Sequence, residues 1–320
     1  MRVVFFGTPA FAVPCLSALI ESGVTVAAVV TQPDRPRTRS HSTLLAPPVK
    51  VRALESGIPV LQPERPRDAD FYAELRALDA DLGVVVAYGH LLRPELLAIP
   101  RLGCVNVHAS LLPRWRGAAP IQWALLSGDA ETGVTIMRVE AGLDTGAVWH
   151  ERDTAISDID TTASLTERLS QLGAEALIEA LPRIAAGTVP RPQDNVGATH
   201  APKIHRDDAR IRWDESARAV SCRIRAMDPA PGAWTTISDA DIKVYGAVVR
   251  AQPSAPVPAR PPAPSPQPAG TIVATHDAVA VITGDGAAVE IYEVQPAGRR
   301  RIRASEWLRG ANLPAGARFV

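Results

Sequence analysis

The sequence predicts an α/β protein in which a Rossmann-like, mostly parallel sheet is followed by a small, OB-like β-barrel. Apolar segments typical of strands alternate with helical segments through the first half, as in a parallel sheet with helices on both faces. From about residue 207 the strand candidates are short and bounded by turns, as in a small barrel. A chain of 320 residues is long enough for a separate core in each domain.

Five apolar segments of the first half are strand candidates, and helical segments separate them. The strand candidates are 3–7, 24–32, 58–62, 81–89 and 103–110, and the helix candidates run to about Ser22, over 49–56 and over 69–79. Ligands of parallel sheets bind outside the carboxyl ends of the strands. We therefore expect the strand ends that carry Gly7, Tyr88 and His108 to share one crevice.

The pattern changes after residue 131, where two strand candidates are joined by a glycine-containing turn at 141–146. An amphipathic helix is predicted over 164–187, and residues 189–206, which lack periodicity, are interpreted as a linker between domains 1–188 and 207–320. The strand candidates of the second domain are 233–237, 242–250, 270–277, 278–286 and 288–296. Residues 251–270 contain eight prolines, which predict an extended, solvated insertion.

Composition and cysteine usage predict a cytoplasmic protein without a metal site. No apolar run is long enough to span a membrane, and the N-terminus is typical of a strand and not of a signal peptide. The three cysteines lie far apart, which argues against a disulfide framework and against a zinc site. The first 200 residues hold 18 Lys/Arg and 22 Asp/Glu, whereas the last 120 hold 16 and 12. This difference permits an anionic partner for the C-terminal half.

Asn106 and His108 are the first candidates for chemistry. Alternate residues of a strand face the same way, so both side chains should project into the predicted crevice. An amide donor beside an imidazole suits acyl transfer, although a hydrogen-bonded asparagine with a core histidine fits this spacing equally well. Ser110 continues the same face and could be a nucleophile with His108 as its base, but the G-x-S-x-G motif is absent.

Asp144, in the turn at 141–146, is a candidate partner for His108. A carboxylate there could orient the ring and raise its basicity, whereas many turn aspartates only cap their own turn. A single D-T-G does not fit an aspartic protease, which needs two. Only Gly7 is present of the three glycines of the dinucleotide motif, which disfavours a nicotinamide-dependent dehydrogenase.

Several basic segments are candidates for phosphate contacts. They are the arginines of the loop 33–48, the pair Arg223 and Arg225, and the run at 298–303. Each of these is more often a solvated surface. Two of them on a predicted small barrel beside an enzyme domain favour nucleic acid as the partner.

The segment SLLPRWRGAAPIQ (110–122), with the opening VVFFGTPAFAVP (3–14), resembles the folate-dependent formyltransferases, in particular those that act on charged tRNA. The resemblance continues through APKI (201–204), RIRW (210–213), DPAPGAW (228–234), GDG (284–286) and VQPAGRR (294–300). It implies transfer of a formyl group from 10-formyltetrahydrofolate to the α-amino group of methionine on initiator tRNA. It also implies that no serine or cysteine nucleophile is required. We expect a monomer without a metal.

The resemblance assigns roles to residues of this sequence. Asn106 would donate to the developing oxyanion, and His108, held by Asp144, would move the proton of the amine. The implied folate contacts are Tyr88, Gly89, His90, Ser110, Leu111, Leu112, Pro113 and Leu143. Together with the basic segments described above, the resemblance makes Arg35, Arg37, Arg39, Lys203, Arg206, Arg223, Arg299, Arg300 and Arg301 the candidate tRNA contacts. The loop 33–48 departs from the family pattern because it lacks glycine, so either Arg37 or Arg39 is expected to contact the tRNA end.

Three alternatives to this function stay open, the dehydrogenase disfavoured above and two others. One is a formyltransferase of the same fold that acts on another amine, such as a nucleotide sugar or a purine precursor. We expect such relatives to differ in domain content, either lacking the barrel or carrying a further large domain. The other is a tRNA-binding module with an inactive catalytic domain, which the presence of Asn106, His108 and Asp144 disfavours.

Overall fold

The computed structural model describes residues 1–36, 44–250, 267–275, 278–314 and 316–320, and in these ranges the chain forms two compact units. Unit 1 comprises Met1–Pro120, Glu131–Thr154 and Thr166–Ala201, and unit 2 comprises Ile121–Ala130, Ala155–Leu165 and Pro202–Val320. Each unit has its own sheet and its own buried apolar residues. The domain boundaries at 188 and 207 stay predictions. Most of the proline-rich segment 251–270 lies outside the described residues.

The central sheet of unit 1 is mostly parallel, as the sequence predicts. Among the described residues its strands are β1 Arg2–Gly7, β2 Thr25–Val30, β3 Val60–Leu61, β4 Leu82–Val86, β5 Cys104–His108, β6 Glu131–Arg138 and β7 Val148–Ala155. Their order is β7-β6-β5-β4-β1-β2-β3, with parallel pairing from β5 to β3 and β6 antiparallel to β5. β4 ends earlier than predicted because Ala87, with φ 48°, turns the chain out of the strand.

The helices of the first 190 residues supply much of the remaining core. They are α1 Val13–Glu21, α2 Pro48–Glu55, α3 Ala69–Ala77, α4 Pro94–Leu97, α5 Pro120–Leu126 and α6 Thr162–Ala185. Pro14 lies in the first turn of α1, where its missing N–H leaves no bond unmade. Cys15, Leu16 and Leu19 form the buried stripe of this helix, at the spacing that one helical face requires.

Unit 2 contains an antiparallel sheet, in agreement with the predicted β-rich second domain. Its strands are β8 Ala233–Ile237, β9 Ala240–Val249, β10 Ile272–Ala274, β11 Val279–Ile282, β12 Ala288–Pro296 and β13 Ile302–Arg303. The order is β8-β9-β12-β11-β10, and β13 pairs with β12. Two helices, α7 Ala217–Ala226 and α8 Ala304–Gly310, do not figure in the sequence-based prediction. Ser216 caps α7 by accepting the Ala219 N–H, a start signal that the sequence does carry.

The three cysteines are unpaired and buried. Burial raises the pKa of the Cys15 and Cys104 thiols to about 12, so both stay protonated at neutral pH. Within the described ranges, no helix combines the length and the apolar composition needed to cross a membrane. The same ranges contain no group of three His, Cys, Asp or Glu side chains that could hold a metal ion.

Replacing Leu169, which is fully buried on α6, tests how much the core packing of unit 1 contributes to the free energy of unfolding. Leu169→Ala is expected to lower the free energy of unfolding by about 2–5 kcal/mol, because the surrounding side chains cannot fully close the cavity. Val189→Ala, at a position 92% exposed, is the control and should stay within about 0.5 kcal/mol of wild type. Urea unfolding followed by circular dichroism measures the free energy of unfolding of both variants. Equal values for the two would contradict the packing of Leu169 in the core.

Candidate active site

The carboxyl ends of β1, β4 and β5 lie at one edge of the sheet, as predicted. β1 pairs with β4, and β4 with β5, in parallel. Just beyond this edge, the segments that follow β1, β2 and β4 are connected by hydrogen bonds. The Tyr88 carbonyl oxygen accepts from Thr8 Oγ1 at 3.1 Å and from Gln32 Nε2 at 3.0 Å. The strand ends that were expected to share a crevice are therefore neighbours.

Asn106 and His108 occupy alternate positions of β5 and so face the same side of the sheet. His108 is buried, and Asn106 is half-buried. Within the residues that the structure describes, the Asn106 amide has no hydrogen-bond partner. Its donors are thus available to a ligand, which weakens the alternative of a hydrogen-bonded asparagine at a strand end.

One hydrogen bond of the His108 ring defines its tautomer. Nε2 lies 2.9 Å from the carbonyl oxygen of Trp115. A carbonyl oxygen can only accept, so this hydrogen bond assigns a proton to Nε2. Nδ1 is consequently the ring atom that can accept a proton during a reaction.

The Asp144 carboxylate faces the same ring, with 3.6 Å between Oδ2 and His108 Nδ1. Oδ2 also accepts a hydrogen bond from the backbone N–H of Gly117 at 2.9 Å. Gly117 has φ 127°, and a Cβ at this position would lie 2.6 Å from the Ala201 carbonyl oxygen, so the position requires glycine. The carboxylate therefore contacts a residue far from its own turn, which argues against a role confined to capping that turn.

Ser110 is unsuited to the nucleophilic role left open by the sequence. Its hydroxyl donates to the Arg114 carbonyl oxygen at 2.6 Å, and its own carbonyl accepts from Thr135 Oγ1 at 2.7 Å. Thr135 Oγ1 in turn accepts the Leu112 N–H at 3.1 Å. These contacts fix the segment that follows β5 and leave the serine hydroxyl bound to a carbonyl.

The predicted folate residues divide into two groups by exposure. Gly89, His90, Leu111, Pro113 and Leu143 are exposed or half-buried, with Leu143 at 60%. The side chains of Tyr88, Ser110 and Leu112 are buried. The Tyr88 ring packs edge-on against Phe6 at 5.7 Å between centroids, and burial raises its pKa to about 12. Any ligand contact of the buried group is therefore limited to backbone atoms.

A hydrogen-bond network that involves the Asp144 backbone carbonyl was not predicted from the sequence. Gln193 donates to the carbonyl oxygens of Asp144 and Gly146, and it accepts hydrogen bonds from the buried guanidinium of Arg116. Gln193 lies in the segment 189–206 interpreted as a linker. That interpretation needs correction for residues 191–201, which are hydrogen-bonded within unit 1 although they lack periodicity.

The loop 33–48 is anchored at its ends by polar contacts. Lys50 Nζ donates to Asp34 Oδ2 and to Gln62 Oε1, both at 2.8 Å. Hydrogen bonds from Gln62 and Lys50 hold the pKa of the Asp34 carboxyl below its usual range. Arg35 is exposed, and its guanidinium donates to the Gln32 side chain. Arg37 and Arg39 lie outside the described residues.

The basic residues predicted on unit 2 differ in their surroundings. Lys203, Arg299 and Arg300 are exposed. Arg206 is exposed as well, but it pairs with Asp241 at 2.6 Å and lies 4.5 Å over the Trp234 ring.

Arg223, Arg225 and Arg301 make contacts inside unit 2, and their phosphate contacts stay predictions. Arg223 pairs with Glu215 at 3.0 Å, and Arg225 is buried. Arg301 pairs with Asp228 at 3.1 Å and lies 4.0 Å over the Tyr245 ring. Most of the side-chain surface of these three arginines is therefore covered, whereas Arg206 keeps 66% of its side chain exposed despite its ion pair.

Comparisons with known proteins bear on both units. The family model described as formyl transferase matches residues 1–181, and the model of the formyl transferase C-terminal domain matches residues 203–312. The chain is 48% identical to methionyl-tRNA formyltransferase of Methylococcus capsulatus, over 100% of this chain and 99% of the relative. It is 45% identical to methionyl-tRNA formyltransferase of Citrifermentans bemidjiense, over 99% and 95%.

Solved structures agree in fold. Methionyl-tRNA formyltransferase from Clostridium thermocellum superposes with a TM-score of 0.56 at 15% identity, over 78% of this chain and 94% of that one. HypX from Aquifex aeolicus, in complex with tetrahydrofolic acid, gives 0.65 at 18% identity, over 96% and 47%. These identities support the fold alone. By the family models and the relatives that match over the whole length, this chain belongs to the formyl transferase family.

Proposed function

We propose that this chain transfers the formyl group of 10-formyltetrahydrofolate to the α-amino group of methionyl initiator tRNA, giving formylmethionyl-tRNA for translation initiation. The proposal rests on the end of β5, where an available Asn106 amide lies beside an imidazole faced by the Asp144 carboxylate. Relatives that are 43–48% identical over nearly the whole chain are named methionyl-tRNA formyltransferases. Their names favour this substrate over another amine.

Asn106 would act on the formyl oxygen. When bound, the folate co-substrate supplies a formyl group already activated on nitrogen, so the chain needs no nucleophile of its own. The methionyl amine attacks the formyl carbon, and negative charge develops on its oxygen. An amide N–H aimed at this oxygen stabilises that charge, most strongly where water is excluded.

His108 would move the proton. Because Nε2 is bound to the Trp115 carbonyl, Nδ1 takes the proton that the amine loses, and the facing Asp144 carboxylate stabilises the imidazolium. The same Nδ1–H can then protonate the folate nitrogen as its bond to the formyl carbon breaks. The ring returns to its neutral tautomer, and no atom of the chain is consumed.

We propose that the folate binds against the accessible residues Gly89, His90, Leu111, Pro113 and Leu143. Leu143 supports this placement because it exposes a large apolar side chain directly before Asp144. Apolar walls with a few fixed polar groups are typical of sites for flat heterocyclic ligands. Backbone atoms of Tyr88, Ser110 and Leu112 complete the proposed site.

For the tRNA we propose the exposed cations Arg35, Lys203, Arg206, Arg299 and Arg300. In the described part of the chain, Arg299 and Arg300 have no carboxylate partner, which leaves their charges available to phosphates. Arg37 and Arg39 stay sequence-based expectations. We further propose a cytoplasmic monomer, because the unpaired cysteines fit a reducing compartment and one chain carries every candidate residue.

Incubation with 10-formyltetrahydrofolate and methionyl initiator tRNA is expected to give formylmethionine attached to the RNA. Acid gel electrophoresis and release of the labelled amino acid measure the product. Free methionine, a methionyl elongator tRNA and an amino sugar nucleotide serve as alternative acceptors. No transfer to the initiator tRNA, or equal transfer to free methionine, would rule out the proposed substrate.

Removing the proposed catalytic groups is expected to lower kcat while leaving tRNA binding nearly unchanged. His108→Ala should reduce kcat by about 10²–10⁴-fold, because proton transfer is lost. Asn106→Ala should reduce it by about 10²–10³-fold, because an oxyanion donor is lost. His150→Ala removes an imidazole that pairs with Glu179 instead, and it is the control expected to keep wild-type kcat. A collapse of tRNA binding in His108→Ala would indicate a structural role.

Removing Arg299 and Arg300 together is expected to weaken tRNA binding and to flatten its dependence on salt. Each lost phosphate contact lowers the slope of log K against log salt by about one. Filter binding at several salt concentrations measures the slope. The double variant Arg65→Ala/Arg67→Ala removes the same charge from exposed residues that are not among the proposed tRNA contacts. An equal effect of both double variants would show only a net-charge effect.

A further inference from the structure

The chain that follows α6 runs along the candidate active site. Residues 191–201, here called the return segment, hydrogen-bond to β7 through reciprocal bonds between Arg191 and Val148, at 2.7 and 2.9 Å. Thr199 Oγ1 accepts the Trp115 N–H at 2.8 Å, and the Ala201 carbonyl accepts the Ala119 N–H at 3.1 Å. The return segment therefore contacts the backbone that holds His108.

Gln193 is the residue of the return segment that reaches Asp144. Its Nε2 donates to the carbonyl oxygen of Asp144 at 2.9 Å and to that of Gly146 at 2.7 Å. Its Oε1 accepts from Arg116 Nε at 3.1 Å and Nη2 at 2.7 Å. An amide offers two donors and one carbonyl oxygen, and all of them are used here.

Arg116 fixes the orientation of this amide. The guanidinium is buried, and besides Gln193 it contacts Asn195 Oδ1 at 3.2 Å from both Nη1 and Nη2. Only nitrogen donors are available on Arg116, so the Gln193 oxygen must point towards it and the Gln193 NH₂ towards the turn. A flipped amide would place two donors against the guanidinium and an oxygen against two carbonyls.

We propose that Gln193 is a positioning residue that orients the Asp144 carboxylate towards His108. Asp144 has φ 52°, in the left-handed region that few residues other than glycine, asparagine and aspartate adopt. Gln193 holds its carbonyl, while Gly117 N–H holds its carboxylate. With both ends of the residue fixed, the carboxylate stays on the Nδ1 side of the ring. This inference rests on the function proposed above for Asp144.

Gln193→Glu tests the proposal with little change in volume. The variant keeps an acceptor for Arg116 but loses both donors to the turn, so the carbonyls of Asp144 and Gly146 face a carboxylate. We expect kcat to fall about 10- to 100-fold, with KM for folate and for tRNA within about twofold of wild type. Gln171→Glu, the same exchange at an exposed position of α6, is the control and should leave kcat unchanged. A wild-type kcat for Gln193→Glu would overturn the proposal.

A double-mutant cycle with Asp144→Asn separates positioning of Asp144 from general support of the fold. If Gln193 acts through Asp144, Gln193→Glu should change single-turnover formylation by less than about twofold in the Asp144→Asn background. Two losses that multiply would show that Gln193 acts independently, and would overturn the inference. Thermal unfolding monitors each variant, and Gln193→Ala repeats the cycle if Gln193→Glu does not fold.

The cycle also distinguishes failure of this inference from failure of the proposed function. If Asp144→Asn alone keeps the wild-type rate, the proposed role of Asp144 fails, and with it the basis for a positioning residue. If Asp144→Asn is impaired and Gln193→Glu is not, only the role of Gln193 fails.

Discussion

The His108 ring lies between the Trp115 carbonyl, to which it donates, and the Asp144 carboxylate, and both of these residues have a left-handed backbone. Trp115, whose carbonyl accepts from the ring, has φ 60°, and Asp144, whose carboxylate faces the ring, has φ 52°. Such a conformation costs a bulky residue such as Trp115 about 1–3 kcal/mol, whereas aspartate tolerates it better. Both conformations persist because Thr199 accepts the Trp115 N–H and Gln193 binds the Asp144 carbonyl. The return segment thus stabilises a strained arrangement that β5 alone does not fix.

The parts of this arrangement that follow simple periodicity could be predicted from the sequence. Apolar runs separated by helical segments predict a parallel sheet, and the parallel pairing of β1, β4 and β5 then places three strand ends together. The two-residue period of a strand places Asn106 and His108 on one face. Asp144 could be suggested as a partner of His108 from its residue type, but only the family resemblance favoured this over capping of its own turn, because nothing in a turn sequence shows what its carboxylate contacts.

The remaining parts depend on contacts between residues distant in the sequence. Gln193 lies in an aperiodic segment, and its partners are 47, 49 and 77 residues away. For the same reason, the sequence does not show which arginines of unit 2 are paired with carboxylates. Arg301 and Arg300 are adjacent, yet Arg301 pairs with Asp228, 73 residues away, whereas Arg300 is exposed. A count of basic residues therefore predicts that a surface is cationic, but not which cations are available to a phosphate.

The proposed chemistry explains why this site provides a proton acceptor and not a nucleophile. Ser110 follows His108 by two residues, but its hydroxyl is bound to the Arg114 carbonyl, and Nε2 of His108 is bound to the Trp115 carbonyl. With both of these groups engaged, His108 Nδ1 and the Asn106 amide are the polar groups of β5 that remain for a substrate. Such a pair suits a reaction in which the attacking electrons come from the substrate amine and the donor is already activated. An amine loses a proton as it forms the new C–N bond, and a nitrogen base beside a carboxylate is suited to take it.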